Sequence, residues 1–186
     1  MNDKDFSLSD KFSYIIFITG GTKSGKSEFA EHLAKNEKKL SYVALSANNL
    51  DDKEWQEKIN LHRKRRPKAW KLIETTNLLN TLSKEDGPLL IDSIGGFIME
   101  NIGKENKEWS TKMNLLIRLL MNRKSLTFIV GEQVGWSLVS EYKIGNTYIE
   151  RIGELQKRIT KIAKDNWLAI NGRAIKIDDI SLEIPN

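Results

Sequence analysis

The chain has 186 residues, 39% hydrophobic and 30% charged, with a net charge of +5. That composition fits one globular domain with a real core. No apolar run approaches the ~18 residues of a membrane span, and the absence of cysteine excludes disulfides, thiolate metal sites and cysteine nucleophiles. The polar start, Met1-Asn2-Asp3-Lys4-Asp5, lacks a hydrophobic signal region, so a cytoplasmic location is the expectation. Residues 1–12 are expected to form a loose extension and residues 13–186 a single domain. Basic residues are dispersed apart from one cluster, which favours a polyanionic small ligand over nucleic acid.

In chain order, Tyr14-Ile15-Ile16-Phe17-Ile18-Thr19 reads as a β-branched, aromatic strand. It runs into Gly20-Gly21-Thr22-Lys23-Ser24-Gly25-Lys26-Ser27, an unbroken Gly-x4-Gly-Lys-Ser motif. Helical spacing follows over about 25–38. Strand, glycine turn and helix are the context of a phosphate-binding P-loop. Glycines let backbone N–H groups curl round phosphate oxygens, and the helix start adds partial positive charge. Lys26 would reach the β- and γ-phosphates, and the Ser27 hydroxyl would hold Mg²⁺. A nucleoside triphosphate, GTP or ATP, is the expected ligand.

Further along, Leu40 to Leu45 reads as a buried strand and 52–64 as a helix stopped by Pro67. A short helix is predicted over 78–82. Gly87-Pro88 makes a turn, and Leu89-Leu90-Ile91-Asp92 is an apolar strand ending in a carboxylate. An amphipathic helix is predicted over 109–123, with Met113, Leu116, Ile117 and Leu120 on one face. Leu126 to Val130 reads as a buried strand, 146–165 as a long charged helix. Asn171-Gly172 between apolar runs 167–170 and 174–177 signals a closing hairpin. Strands alternating with helices argue a mostly parallel P-loop sheet with helices on both faces and an antiparallel C-terminal hairpin.

P-loop enzymes need a second carboxylate for Mg²⁺ at the end of another strand. Asp92 and Glu132 are the candidates. Asp92 is preferred, because its apolar run delivers it to the carboxyl edge, where open α/β sheets bind ligands. A second cluster is His62-Arg63-Lys64-Arg65-Arg66-Pro67, with Trp70 and Glu74 behind it. Four consecutive cations repel one another unless a polyanion or solvent relieves them. His62 at their mouth would be held neutral and able to attack phosphorus; a surface histidine on a solvated basic helix end is the plainer reading. His32 reads as a packing or surface residue.

Together these pieces resemble the bifunctional adenosylcobinamide kinase / adenosylcobinamide-phosphate guanylyltransferase family of cobalamin synthesis. The resemblance rests on Thr19-Gly20-Gly21 through Ser27, Tyr42-Val43-Ala44, Asp51-Asp52, Ile59, the His-x-x-Arg-Arg-Pro-x-x-Trp segment from His62 to Trp70, Glu74, Leu90-Ile91-Asp92 with Asn101, Val134-Gly135 and the closing hairpin. It spans about 14–177. It implies a RecA-like P-loop NTPase fold and phosphorylation of the hydroxyl of the aminopropanol arm of adenosylcobinamide. GMP from GTP is then carried on a histidine, here His62, to the new phosphate. It implies guanine-nucleotide contacts at Gly20 to Ser27, Ala44, Leu45, Ser46, Arg63, Lys64, Arg65, Arg66, Glu74 and Asp92, catalytic roles for His62, Lys26 and Asp92, Mg²⁺ on Ser27 and Asp92, a corrinoid partner and a homotrimer. Without it, a different small-molecule P-loop kinase or a nucleotide-responsive regulatory protein would also fit the loop.

The chain departs from the family pattern in its second half. Glu132-Gln133-Val134-Gly135 stands where Asn-Glu-Val-Gly is usual, Ser140-Glu141-Tyr142 where Pro-Glu-Asn is typical, and Gly95-Gly96 where a threonine tends to follow the aspartate. These changes fall in the half expected to shape the corrinoid side.

Overall fold

A computed structural model describes residues 13–45, 67–136 and 140–185. The elements are β1 (Ile15–Gly20), α1 (Lys26–Ala34), β2 (Ser41–Leu45), β3 (Lys71–Thr75), α2 (Leu78–Lys84), β4 (Leu89–Asp92), α3 (Gly95–Glu100), α4 (Asn106–Met121), β5 (Thr127–Glu132), α5 (Lys143–Ile162), β6 (Asp165–Ile170) and β7 (Arg173–Lys176). Seven strands form one sheet in the order β3-β2-β4-β5-β1-β6-β7. All pairings are parallel except β6 with β7. This is the α/β sheet with a closing antiparallel hairpin that the sequence predicts. Among the described residues, no helix is long and apolar enough to cross a membrane.

The central strands are apolar at nearly every position because both faces are covered. Ile15, Phe17, Val43, Leu89, Ile91 and Ile129 join one buried cluster with α2, α3, α4 and α5. Ile18, Tyr42, Leu90, Phe128 and Val130 join another with Ala30 and Ala34 of α1. Alternate residues of one strand thus serve opposite faces. At about 25 cal/mol per Å² of apolar surface, each buried Leu or Ile contributes ~1.5–3 kcal/mol, and the two clusters share that burial.

Two elements are absent from the sequence reading. Among the described residues, Lys71–Thr75 is an edge strand paired only to β2. Lys71, Leu72 and Glu74 are exposed, so its alternation carries little hydrophobic signal; charged residues also suit an open edge. Gly95–Glu100 is a single short helix opening on two glycines, which propensity argues against. Boundaries shift as well. The first helix ends at Ala34 rather than near 38, before a polar run. The last begins at Lys143 and ends at Ile162, where Ala163 turns extended (φ −72, ψ 144) into β6. The helix expected over 52–64 lies outside the described residues.

Trp70 shows what part of the His62 to Trp70 segment does for the fold. It is buried, and its Nε1 donates to Glu37 O at 3.0 Å, tying the start of β3 to the loop after α1.

Candidate functional site

The loop from Gly20 to Lys26 has the backbone its glycines foretell. Gly25 has φ +92 and Lys23 φ +55, the left-handed region that glycine enters without penalty. A side chain at Gly20 would collide with Ala169 O and lie 2.6 Å from Ser24 Oγ. Ser24 N donates to Gly21 O at 3.3 Å, and Phe29 N to Gly25 O at 2.9 Å as the helix begins. Ser24 Oγ is buried without a hydrogen-bond partner among the described residues, a polar atom held inside the loop. Lys26 Nζ arches over the loop to Gly21 O at 3.1 Å. Thr22 and Lys23 are exposed at its tip.

The hairpin buttresses this loop. Asn171 (φ +49) and Gly172 (φ +75) are both left-handed, as a two-residue type I′ turn requires. Gly172 N donates to Ser24 O at 3.0 Å, and Trp167 of β6 meets Phe29 of α1 edge-to-face at 5.0 Å. The sequence marks the turn but not its contact with the loop.

Asp92 ends β4 on the α1 side of the sheet. Ser27 Oγ donates to Asp92 Oδ1 at 3.3 Å, and the Tyr42 hydroxyl donates to Asp92 Oδ2. Tyr42 sits two residues before Ala44, hence on the same face of β2. Register aligns Glu74, Ala44 and Asp92 across β3, β2 and β4. Glu74 therefore shares the Asp92 face two strands away, about 10 Å at the usual strand spacing. Leu45 ends β2 beside α3: a side chain on Gly96 would collide with Leu45 O. Ser46, His62, Arg63, Lys64, Arg65 and Arg66 lie outside the described residues. His32 is exposed on α1.

Glu132, the other candidate carboxylate, ends β5, which lies directly beside β1 in register with Gly20. It makes no contact like that of Asp92 with Ser27. Ser93 Oγ donates to Glu132 Oε1, and Gln156 Nε2 donates to the Glu132 carbonyl at 2.7 Å. Gln156 Oε1 also accepts from Thr19 Oγ1 at 2.9 Å, so one α5 side chain ties the ends of β1 and β5. Any side chain on Gly95 would collide with the Tyr148 hydroxyl and lie 2.9 Å from each Glu132 carboxylate oxygen. Glu132 Oε2 is buried with no hydrogen-bond partner among the described residues, an arrangement that costs about 1–3 kcal/mol. Burial pushes the Glu132 carboxyl above its usual range; the Ser93 hydrogen bond opposes the shift, Asp92 adds to it and Lys26 opposes it. Burial, then the Glu132 charge, raise the Tyr148 hydroxyl. Tyr148 and Gln156 carry no local motif and are found only through packing.

Two strand-end carboxylates, Asp92 and Glu132, thus stand at the carboxyl edge beside the glycine loop, the edge at which open α/β sheets bind ligands. Residues 16–177 match the family model described as cobinamide kinase / cobinamide phosphate guanyltransferase. The chain belongs to that family. It is 26% identical over 181 residues to the bifunctional adenosylcobalamin biosynthesis protein CobU of Salmonella typhimurium, covering 88% of this chain and 99% of that protein. It is 25% identical to the CobU of Escherichia coli K12 with the same coverage. A solved structure from Pyrococcus horikoshii OT3 overlaps at 6% identity with a TM-score of 0.49, over 87% of this chain and 84% of that one, a likeness that supports no argument. Members of the cobinamide kinase / guanyltransferase family are transferases of cobalamin biosynthesis, and a nucleotide substrate follows from such activity.

Proposed function

We propose that this chain phosphorylates adenosylcobinamide and then transfers GMP from GTP, through a covalent bond to His62, onto the new phosphate, giving adenosylcobinamide-GDP. The observation that carries this reading is the family match over 16–177, which includes the His62 to Trp70 segment. The meeting of Lys26, Ser27 and Asp92 at one sheet edge supports it.

Each residue has a chemical task. Backbone N–H groups from Gly21 to Ser27 and the Lys26 ammonium neutralise the triphosphate. Ser27 Oγ and Asp92 Oδ1 would hold Mg²⁺, which supplies further neutralisation of phosphate charge. Their fit is sound: both are hard oxygen donors, 3.3 Å apart, and neighbouring ligands of an octahedral ion at ~2.1 Å lie about 3.0 Å apart. In guanylylation the free His62 imidazole attacks the α-phosphorus, the α–β bond breaks and pyrophosphate leaves. A phosphate oxygen of adenosylcobinamide phosphate then attacks the His62-bound phosphorus and frees the imidazole. Splitting one hard displacement into two is the gain of the covalent step. Arg63, Arg65 and Arg66 would stabilise the developing charge.

Glu74 is assigned to the guanine, accepting from N1–H and the 2-amino group, a donor pair that adenine lacks. Its place in the Asp92 row supports this. Glu74→Gln is expected to reduce the GTP-over-ATP preference about tenfold or more, read from competition kinetics; an unchanged preference sinks the assignment.

The covalent step is tested with Mg²⁺ and GTP labelled at the α-phosphate, followed by denaturing separation and intact mass. An acid-labile, base-stable GMP adduct on wild type and none on His62→Ala is the expected result. No adduct with either GTP or ATP would return the chain to a plain P-loop kinase.

A further inference from the structure

Lys26, Ser27 and Asp92 provide for the triphosphate, but phosphorylation of a hydroxyl also needs a group to take the hydroxyl proton. Both Asp92 oxygens already accept, one from Ser27 and one from Tyr42. The other carboxylate at this edge differs. Glu132 Oε1 accepts from Ser93, while Oε2 is buried and has no donor among the described residues. Its backbone is fixed by Gln156. The missing side chain of Gly95 leaves the space that the carboxylate and the Tyr148 hydroxyl share. Its strand lies directly beside the P-loop strand.

We infer that Glu132 Oε2 is the proton acceptor for the substrate hydroxyl in the phosphorylation step. This rests on the kinase half of the function proposed above. The hydroxyl oxygen bonds to the γ-phosphorus, and the bond from that phosphorus to the β–γ bridging oxygen breaks. The nucleoside diphosphate leaves with the electron pair, and the hydroxyl proton passes to Glu132 Oε2. Ser93 and Gln156 are positioning residues: the first orients the carboxylate, the second the strand end that bears it. The burial of Glu132 supports the role, since a desolvated carboxylate is a better base than a solvated one.

The test uses the full chain as wild type, Glu132→Gln and Glu132→Asp. Phosphorylation of adenosylcobinamide is followed across acceptor concentration, and GMP adduct formation from α-labelled GTP is measured on the same preparations. Glu132→Gln keeps size and shape. It is expected to lose about 10²- to 10⁴-fold in kcat for phosphorylation, with acceptor KM within about threefold and a far smaller loss in adduct formation. Glu132→Asp, which keeps a carboxylate, is expected to lose less. Phosphorylation by Glu132→Gln within about threefold of wild type would overturn the assignment. So would an equal fall in both half-reactions, which marks a structural residue. A wild type that forms the adduct but phosphorylates no cobinamide would overturn the kinase half and this assignment with it. That result is distinct from a competent wild type whose Glu132→Gln variant is unimpaired.

Discussion

Two corners of one sheet edge are built on opposite plans. At the first, β1, α1 and β4 bring Lys26, Ser27 and Asp92 together, and each of those side chains has a partner: Gly21 O, Asp92 and the Ser27 and Tyr42 hydroxyls. At the second, β5, α3 and α5 enclose Glu132, Gly95 and Tyr148, and one carboxylate oxygen is left without a donor among the described residues. A satisfied corner is a rigid frame in which phosphate can be held. An unsatisfied buried carboxylate is costly, and such costs gather where chemistry needs a reactive group. The second corner is also where Gly95 lies against the Glu132 carboxylate. The absence of a side chain at Gly95 leaves room for the Glu132 carboxylate and the Tyr148 hydroxyl.

The broadest effect, on both half-reactions at once, should come from the first corner. Lys26→Ala is expected to lower both half-reactions about 10²- to 10³-fold, measured by steady-state kinetics; a loss confined to one half would separate the two nucleotide-binding events. Tyr42→Phe removes a donor to Asp92 without removing the ring from the core. It is expected to weaken Mg²⁺ activation about 10- to 100-fold, read as a shift in the Mg²⁺ titration with maximal rate retained. At the second corner, Gly95→Ala forces a methyl against Tyr148 and Glu132 and is expected to destabilise the fold by about 1–3 kcal/mol in urea. No loss would mean that the corner is looser than its geometry states.

The subtlest effect concerns pH. The folded Glu132 carboxyl is raised, chiefly by burial, with Asp92, Lys26 and Tyr148 as its charged and titratable neighbours. A raised group contributes stability that is fully present below its unfolded value of about 4.3. That contribution is lost as pH rises through the folded value. Glu132→Gln cannot titrate, so its stability relative to wild type should grow from pH 4 upward and level off once the folded carboxyl has ionised. A pH-independent difference in denaturation midpoints would remove burial as the cause.

Sequence legibility followed how local the signal was. The loop from Gly20 to Ser27 was readable because its chemistry is contiguous: glycines, lysine and serine act through their own backbone and one helix start. The apolar strands were readable because burial on both faces leaves no polar position. Lys71–Thr75 was not, since an edge strand needs few apolar residues and its neighbour supplies the evidence. Glu132 could be seen as a strand-end carboxylate, but neither its missing partner nor its link to Ser93 and Gln156 could be inferred from spacing.

By itself, then, the sequence determined the phosphate loop, the apolar buried strands, the Asn171–Gly172 turn and the family, because each is written in residues close together or in an ordered set of motifs. Tertiary structure alone decided that Tyr42 supports Asp92, that Gly172 braces Ser24, and that Gly95, Tyr148 and Glu132 form one corner. Those residues lie tens of positions apart, and only the parallel crossovers, which return every strand end to the same edge, bring them within reach.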